Sequence, residues 1–181
     1  MVPLGGRAAE RETLGGNYAH KGFHLIMVTI REGQTGDSTA IADLLNRAFE
    51  VEHPYLDEPP ETQDSVVSAM RHGVYLVAVD IQGHLIGCVL VDLPSTFILK
   101  LAVDPPLQKR GYGRQLMNEA EQYGRNKGWT VAFVSILDVR PELLEYYRRQ
   151  GYISTGESQQ IRQSSRLRQP CRLIKMQKCL V

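Results

Sequence analysis

The stretch that decides the fold is FILKLAVDPPLQKRGYGRQLMNEAEQYGRNK, which runs from Phe97 to Lys127. Its first seven residues form a short, mostly apolar run, and the aspartate and two prolines that follow cannot continue a strand ladder. This run therefore predicts a buried strand over 97–103.

The second half of the stretch predicts an amphipathic helix. Leu116, Ala120 and Tyr123 recur at helical spacing, and polar or charged residues fill most of the intervening positions. Gly124 is a weak point in this helix, whereas Gly128 suits its end. The stretch as a whole thus predicts a strand, a turn and a helix.

The turn between them, here called the glycine turn, spans Gln108–Gly113. Glycine can take positive φ and lacks a Cβ, so the backbone can close around an anion at the start of the helix, where unpaired N–H groups and the helix dipole favour negative charge. Lys109, Arg110 and Arg114 add positive charge beside it. Taken alone, a Gly-x-Gly turn is equally compatible with a tight strand-to-helix connection.

Two better known phosphate-binding patterns do not fit this turn. The dinucleotide fingerprint needs a third glycine where Leu116 stands, and the P-loop needs a Gly-Lys-Ser/Thr ending that the turn lacks. What remains is Gln-x-x-Gly-x-Gly after a strand that ends in Leu-Ala-Val-Asp-Pro.

That pattern resembles the signature motif of the GNAT superfamily, the acyl-CoA-dependent N-acetyltransferases. A second resemblance lies downstream, where Tyr147, Gly151 and Tyr152 are similar to the family's Tyr-x-x-x-Gly-aromatic ending of the last helix. The resemblance is close over Leu99–Tyr152 and looser over 26–178. It implies acetyl-CoA as the acyl donor, no metal, and direct transfer to an amine in a ternary complex.

The resemblance also implies where the donor binds. In the family the turn amides hold the CoA pyrophosphate, the preceding strand pairs with the pantetheine arm, and a backbone N–H of that strand polarises the thioester carbonyl, for which Leu101 and Val103 are the candidates here. The implied donor-binding residues are Leu101, Ala102, Val103, Gln108, Lys109, Arg110, Gly111, Tyr112, Gly113, Arg114 and Arg140. Arg140 stands where the family often has asparagine, which weakens the transfer of that contact.

Tyr147 matches the family's general acid. A phenol, with an ordinary pKa near 10, keeps its proton at neutral pH and can pass it to a departing thiolate. The alternative is that Tyr146 and Tyr147 are an aromatic pair of the core, and for Tyr146 the core role is the prediction. A general base is not evident, because Phe97 occupies the position where some members carry glutamate. His53 and Asp92 are the candidates, besides a water relay.

The acceptor side is predicted from the acidic, proline-broken segment 51–61. In the family the corresponding segment lines the acceptor pocket, and by that resemblance the candidate acceptor contacts are Glu52, His53, Tyr55, Asp57 and Glu58. The excess of carboxylates in this segment would suit a cationic amine as acceptor. The alternative is that the segment is a surface loop whose charges face water. Asp92, at the end of a later strand, is a further candidate for acceptor binding or proton transfer, and a surface turn carboxylate is the alternative. The basic segment 162–172 is expected to be a solvated hairpin tip or a contact for an anion.

The remaining patterns predict the fold class. Asp37 or Ser38 suits the N-cap of a helix to Phe49, another short helix ends at Met70, and Pro141 opens a helix to Gln150. Further strands are predicted over 25–30, 74–80, 84–92, 129–137, 152–160 and 173–180. The result is an α/β (α+β) fold with a mixed, mostly antiparallel central sheet and helices on both faces.

Composition sets the remaining expectations. The chain has 181 residues, a net charge of +1 and 43% hydrophobic residues, which favours one domain over 23–181 after a flexible tail over 1–22, and gives no bias towards nucleic acid. No stretch is long and apolar enough to span a membrane. Three cysteines without a Cys-x-x-Cys pair favour a reducing, cytoplasmic setting. Exposed strand edges are compatible with a homodimer.

The predicted function is transfer of an acetyl group from acetyl-CoA to a primary amine of a small molecule or peptide. An open acceptor groove would favour a peptide, and a closed pocket a small amine. The alternative is a non-catalytic acyl-CoA-binding regulatory module, which Phe97 and Arg140 support.

Overall fold

The computed structural model describes residues 28–55, 59–161 and 170–181. The tail predicted over 1–22 and the candidate contacts Asp57 and Glu58 lie outside the described residues, as does most of the basic segment. The elements, in chain order, are β1 (Val28–Glu32), α1 (Ser38–Phe49), α2 (Gln63–Ala69), β2 (Gly73–Asp80), β3 (Leu85–Asp92), β4 (Phe97–Val103), α3 (Tyr112–Asn126), β5 (Val131–Leu137), α4 (Pro141–Arg149), β6 (Ile153–Gln160) and β7 (Arg172–Cys179).

The described strands form one seven-stranded sheet in the order β1-β2-β3-β4-β5-β7-β6. Every neighbouring pair is antiparallel except β4 and β5, which are parallel because α3 connects them as a crossover. The predicted mixed, mostly antiparallel sheet is therefore confirmed.

Helices cover both faces of this sheet. On one face, α3 and α4 bury Leu116, Met117 and Ala120 against β2–β5. On the other face, α1 and α2 bury Ile41, Leu45 and their neighbours against β2–β4. The predicted two-sided arrangement is confirmed. Among the described residues, no helix covers β5, β7 and β6 on the second face.

The start of α1 differs from the prediction in its chemistry. Asp37 does hold the N-cap position, but its side chain makes no capping hydrogen bond. Its carboxylate instead accepts hydrogen bonds from the Arg31 guanidinium at 2.7 and 2.9 Å and from the backbone N–H of Gln34. The ion pair with Arg31 of β1 thus takes the place of a capping hydrogen bond. The hydrogen bonds from Arg31 and Gln34 lower the pKa of Asp37.

Gly124, the weak point of the predicted helix, has a packing reason. A Cβ at this position would lie 2.4 Å from Cε3 of Trp129, so the glycine lets the indole pack directly on the helix backbone. Gly128, with φ of +86°, follows the helix and turns the chain into β5, as predicted.

Candidate active site

The central feature of the site is a gap inside the sheet between β4 and β5. Among the described residues, the two strands share a single register pair, Phe97 with Phe133, next to a hydrogen bond from the N–H of Phe133 to the carbonyl of Thr96 at 3.0 Å. From Ile98 to Val103, β4 has no β5 partner in this register. One edge of β4 therefore presents peptide groups to whatever enters the gap.

A β-bulge lies in β4 beside this gap. Cys88 pairs with Ala102 and Leu90 pairs with Leu99, so Lys100 and Leu101 together stand opposite the single residue Val89 of β3. Lys100 has φ of +51°, a left-handed conformation that costs a side-chain-bearing residue roughly 1–2 kcal/mol. The bulge changes the direction of the peptide groups around Leu101, one of the two predicted contacts to the thioester.

The glycine turn lies at the end of the gap beyond Val103. Gly111 is the N-cap of α3 with φ of +93° and ψ of −8°, and Lys109 also has positive φ, at +62°. Nothing lies within 4 Å of the place of a Cβ on Gly111, so conformation and not crowding requires glycine there. The first-turn amides of α3 face this end of the gap, where the helix dipole adds partial positive charge.

The side chains around the turn support it in different ways. The Gln108 amide donates a hydrogen bond to the carbonyl of Val103 at 3.1 Å, which ties the turn to the end of β4. Arg110 donates to the carbonyl of Pro106 at 3.2 Å. Lys109 and Arg114 are exposed, whereas Tyr112 is buried in the core beneath the turn.

Tyr146 packs against the start of α3. A Cβ on Gly113 would lie 3.1 Å from the Tyr146 hydroxyl oxygen, so a glycine at this position lets α4 approach the helix that carries the turn. The ring packs with the core as predicted, and burial raises the pKa of Tyr146.

Tyr147, the predicted general acid, has an 8% exposed side chain on the inner face of α4. Its ring meets those of Tyr146 and Tyr152 edge-on, at centroid distances of 5.1 and 5.6 Å. Burial is the main cause that raises the pKa of Tyr147 well above its ordinary value, and the neighbouring Tyr146 and Glu52 raise it further. The phenol is therefore protonated at neutral pH, as a proton donor must be.

The segment 50–55, here called the wall segment, crosses the end of β5. Glu52 accepts a hydrogen bond from Nη1 of Arg140 at 2.9 Å, and Tyr55 packs with Leu137 and Cys171. Nε of Arg140 is hydrogen-bonded to Glu142. The structure thus brings Glu52, Tyr55 and Arg140 together near the open end of the gap, with the guanidinium engaged by carboxylates, while His53 is exposed on the same segment.

Asp92 lies at the other end of β4. It pairs with Phe97 in the strand register and accepts a hydrogen bond from the Ser95 hydroxyl. Leu101 is four residues further along β4, or about 13 Å at the usual rise of a strand. The structure therefore separates this base candidate from the bulge.

The face of the sheet without a helix carries a cavity of about 620 Å³. Phe97, Ser135 and Leu173 contribute to its lining, together with Lys175 and Glu157, which form an ion pair at 3.2 Å. The Lys175 ammonium also lies 4.3 Å from the ring centroid of Phe133, whose ring is 5.4 Å from that of Phe97. The cavity adjoins the point where β4 and β5 separate.

Sequence reasoning missed one ion pair beside the bulge. The Lys100 ammonium donates a hydrogen bond to Oε1 of Glu61, in the connection before α2. In the sequence, Glu61 is one residue of an acidic segment, and Lys100 is one residue of the strand over 97–103. A single lysine within an otherwise apolar run was the available signal.

Two further features concern ligands and membranes. Within 28–55, 59–161 and 170–181, no group of three or more His, Cys, Asp or Glu side chains could hold a metal ion. No helix in the described ranges is long and apolar enough to cross a membrane.

The mixed sheet, with its separated parallel strand pair, bulge and glycine turn, can be compared with known proteins. Residues 38–152 match the acetyltransferase (GNAT) family. The chain therefore belongs to the GNAT acetyltransferase family. No curated protein sequence is significantly similar to it.

Solved structures share the fold at low sequence identity. The ribosomal-protein-S18-alanine N-acetyltransferase of Escherichia coli is 15% identical, with a TM-score of 0.69 over 85% of this chain and 94% of that one. An N-acetyltransferase of Staphylococcus aureus Mu50 is 16% identical, with a TM-score of 0.70 over 86% and 99%. A nourseothricin acetyltransferase is 20% identical, with a TM-score of 0.65 over 85% and 99%.

Proposed function

We propose that the protein transfers the acetyl group of acetyl-CoA directly to a primary amine of a small molecule or peptide, within a ternary complex. The observation that carries the proposal is the order of three features along one strand. The gap opens after Phe97, the bulge follows at Lys100 and Leu101, and the glycine turn begins beyond Val103. An extended thioester can lie along this strand with its diphosphate at the turn.

Each part then has a role in the reaction. The amides of the glycine turn and the start of α3 would bind the diphosphate, and the free edge of β4 would pair with the pantetheine arm. A peptide N–H at the bulge would hydrogen-bond the thioester carbonyl, an interaction often worth about 3–4 kcal/mol in the transition state. The amine nitrogen forms the new bond to the carbonyl carbon, the carbon–sulfur bond breaks, and Tyr147 gives its proton to the departing thiolate.

The acceptor would approach from the helix-free face and the wall segment. The cavity lined by Phe97, Ser135 and Lys175 adjoins the gap on that face, and Glu52, His53 and Tyr55 lie on the segment that crosses the end of β5. The amine must lose a proton before or during attack, by way of His53 or a water relay, since Asp92 lies at the far end of β4 from the bulge. A reducing cytoplasm would suit the three unpaired thiols.

The experiment is release of CoA from acetyl-CoA across a panel of polyamines, amino acids, aminoglycosides and basic peptides. The native chain is compared with Tyr147→Phe and with Tyr152→Phe, which removes a neighbouring buried hydroxyl from the same aromatic cluster. Acceptor-dependent release that falls about 10²-fold only in Tyr147→Phe would support both the activity and the acid role. An equal loss in the two variants would contradict that role for Tyr147.

The second candidate is a non-catalytic acyl-CoA-binding module. The observation in its favour is that the position of the missing glutamate is filled by Phe97, whose ring contacts Phe133 and not a carboxylate. Tight acetyl-CoA binding without CoA release across the whole panel would favour this module. Absence of binding would reject both candidates.

A further inference from the structure

Glu61 is held in place from both neighbouring helices, α1 and α2. The Asn46 side chain of α1 donates to the carbonyl of Glu61 at 2.9 Å and accepts from its N–H at 2.7 Å. The Ser65 hydroxyl of α2 donates to Oε2 of Glu61 at 2.6 Å. Three hydrogen bonds thus fix both the backbone and the carboxylate of this residue.

The other oxygen of that carboxylate accepts a hydrogen bond from the bulge residue. Lys100 carries the left-handed conformation of the bulge, and its ammonium donates to Oε1 of Glu61. The two side chains are only 29% and 23% exposed. Because water is partly excluded, this pair is screened less than an ion pair on the open surface.

The residue type at the bulge argues for a role of the side chain. Glycine adopts the left-handed conformation without strain, and it is the usual residue at the first position of this kind of bulge. Lysine is strained there, so conformation alone does not explain it. The long side chain does what glycine cannot, since it connects the bulge to the connection between α1 and α2.

We propose that Glu61 and Lys100 are positioning residues, which hold the bulge so that the peptide N–H of Leu101 points into the gap towards the thioester carbonyl. This rests on the proposed function. A shift of the bulge by one residue would direct a different peptide group into the gap.

The test measures polarisation of the carbonyl directly, without an acceptor. Acetyl-CoA labelled with ¹³C at the thioester carbonyl is bound to each protein, and its stretching frequency is read by infrared difference spectroscopy. The variants are Glu61→Gln and Lys100→Gly, with Lys100→Arg as the conservative replacement. Asp37→Asn is the matched control, since it removes an ion pair of 2.7 Å at the start of α1, away from the bulge.

In the native protein and Asp37→Asn we expect a frequency below that of acetyl-CoA in water. In Glu61→Gln and Lys100→Gly the frequency should return towards the value in water, and Lys100→Arg should keep most of the native shift. Once an acceptor is known, kcat should fall about tenfold or more in Glu61→Gln and Lys100→Gly, while KM for acetyl-CoA stays within about twofold of the native value. Complete loss of an oxyanion donor lowers kcat by about 10²–10³, so partial misplacement of the donor should cost less.

Stability separates this role from a merely structural one. Lys100→Gly relieves the left-handed strain but also removes the ion pair with Glu61, and the two effects on stability oppose each other. Its midpoint in urea should therefore stay close to the native value while polarisation is lost. Native-like frequencies in both variants would overturn the inference, as would an unshifted frequency in the native protein. Failure of the native protein to bind acetyl-CoA would reject the proposed function itself, and the inference with it.

Discussion

Replacement of Gly111 by alanine should weaken acetyl-CoA binding by more than its effect on stability explains. Gly111 has φ of +93°, and an added Cβ would meet nothing within 4 Å, so the penalty is conformational, about 1–2 kcal/mol. Relaxation of this strain would rotate the peptide groups that begin α3. Loss of one hydrogen bond to a charged diphosphate costs about 1.5–3 kcal/mol, which raises Kd by about 10- to 150-fold.

Gly128→Ala is the matched control, because it places the same strain at the other end of the same helix. Its φ is +86°, and again nothing lies within 4 Å of the new Cβ. Urea unfolding should show similar destabilisation of both variants, while isothermal titration calorimetry with acetyl-CoA should show weaker binding for Gly111→Ala alone. Native affinity in Gly111→Ala, or equal weakening in both, would refute the argument that the conformation of the turn holds the diphosphate.

Two further predictions concern stability. Gly124→Ala should destabilise the fold by about 1–3 kcal/mol, because the new Cβ overpacks against the Trp129 indole and this outweighs a gain in helix propensity of about 1 kcal/mol. The control Gly36→Ala, in open space and without positive φ, should be neutral or slightly stabilising in the same urea titration. A Gly124→Ala variant more stable than the native protein would contradict the packing described. Burial raises the pKa of Tyr75 and of Tyr152 above the ordinary value near 10. Each neutral phenol therefore contributes to the stability of the fold fully below pH 10, and this contribution is lost as the pH rises through the pKa of the folded state. Tyrosinate absorbance of the folded protein should therefore show fewer than the eight tyrosines of the chain, with the remainder appearing on unfolding, and ionisation of all eight in the folded state would contradict their burial.

The elements that were predicted well are those with a local signal. The strand over 97–103 and the helix that follows it agree with β4 and α3 closely, because an apolar run, a proline stop and a helical repeat each lie within a few residues. The hairpin of β2 and β3 and the helix that begins at Pro141 follow for the same reason. Their boundaries depend on neighbours in the chain, which the sequence displays directly.

The features that were missed depend on partners far away in the chain. The bulge at Lys100 is defined only by its register against Val89, and Glu61 lies 39 residues from the lysine that it binds. Asp37 occupies the predicted cap position, but a guanidinium from β1 competes for its carboxylate. Tyr147 was located by its motif, whereas the raised pKa of its hydroxyl depends on burial that no local pattern specifies.

The separation of β4 from β5 gives the sheet two inner edges in addition to its outer edges at β1 and β6. An exposed strand edge usually invites another strand, and proteins protect such edges with charge, bulges or covering elements. Here β4 and β5 belong to one chain and converge at Phe97 and Phe133, so the space between them narrows to a closed corner. A further strand cannot pair in that corner, because Phe97 and Phe133 already pair with each other. At this end of the gap, the pairing of β4 with β5 thus protects both inner edges from pairing with another chain.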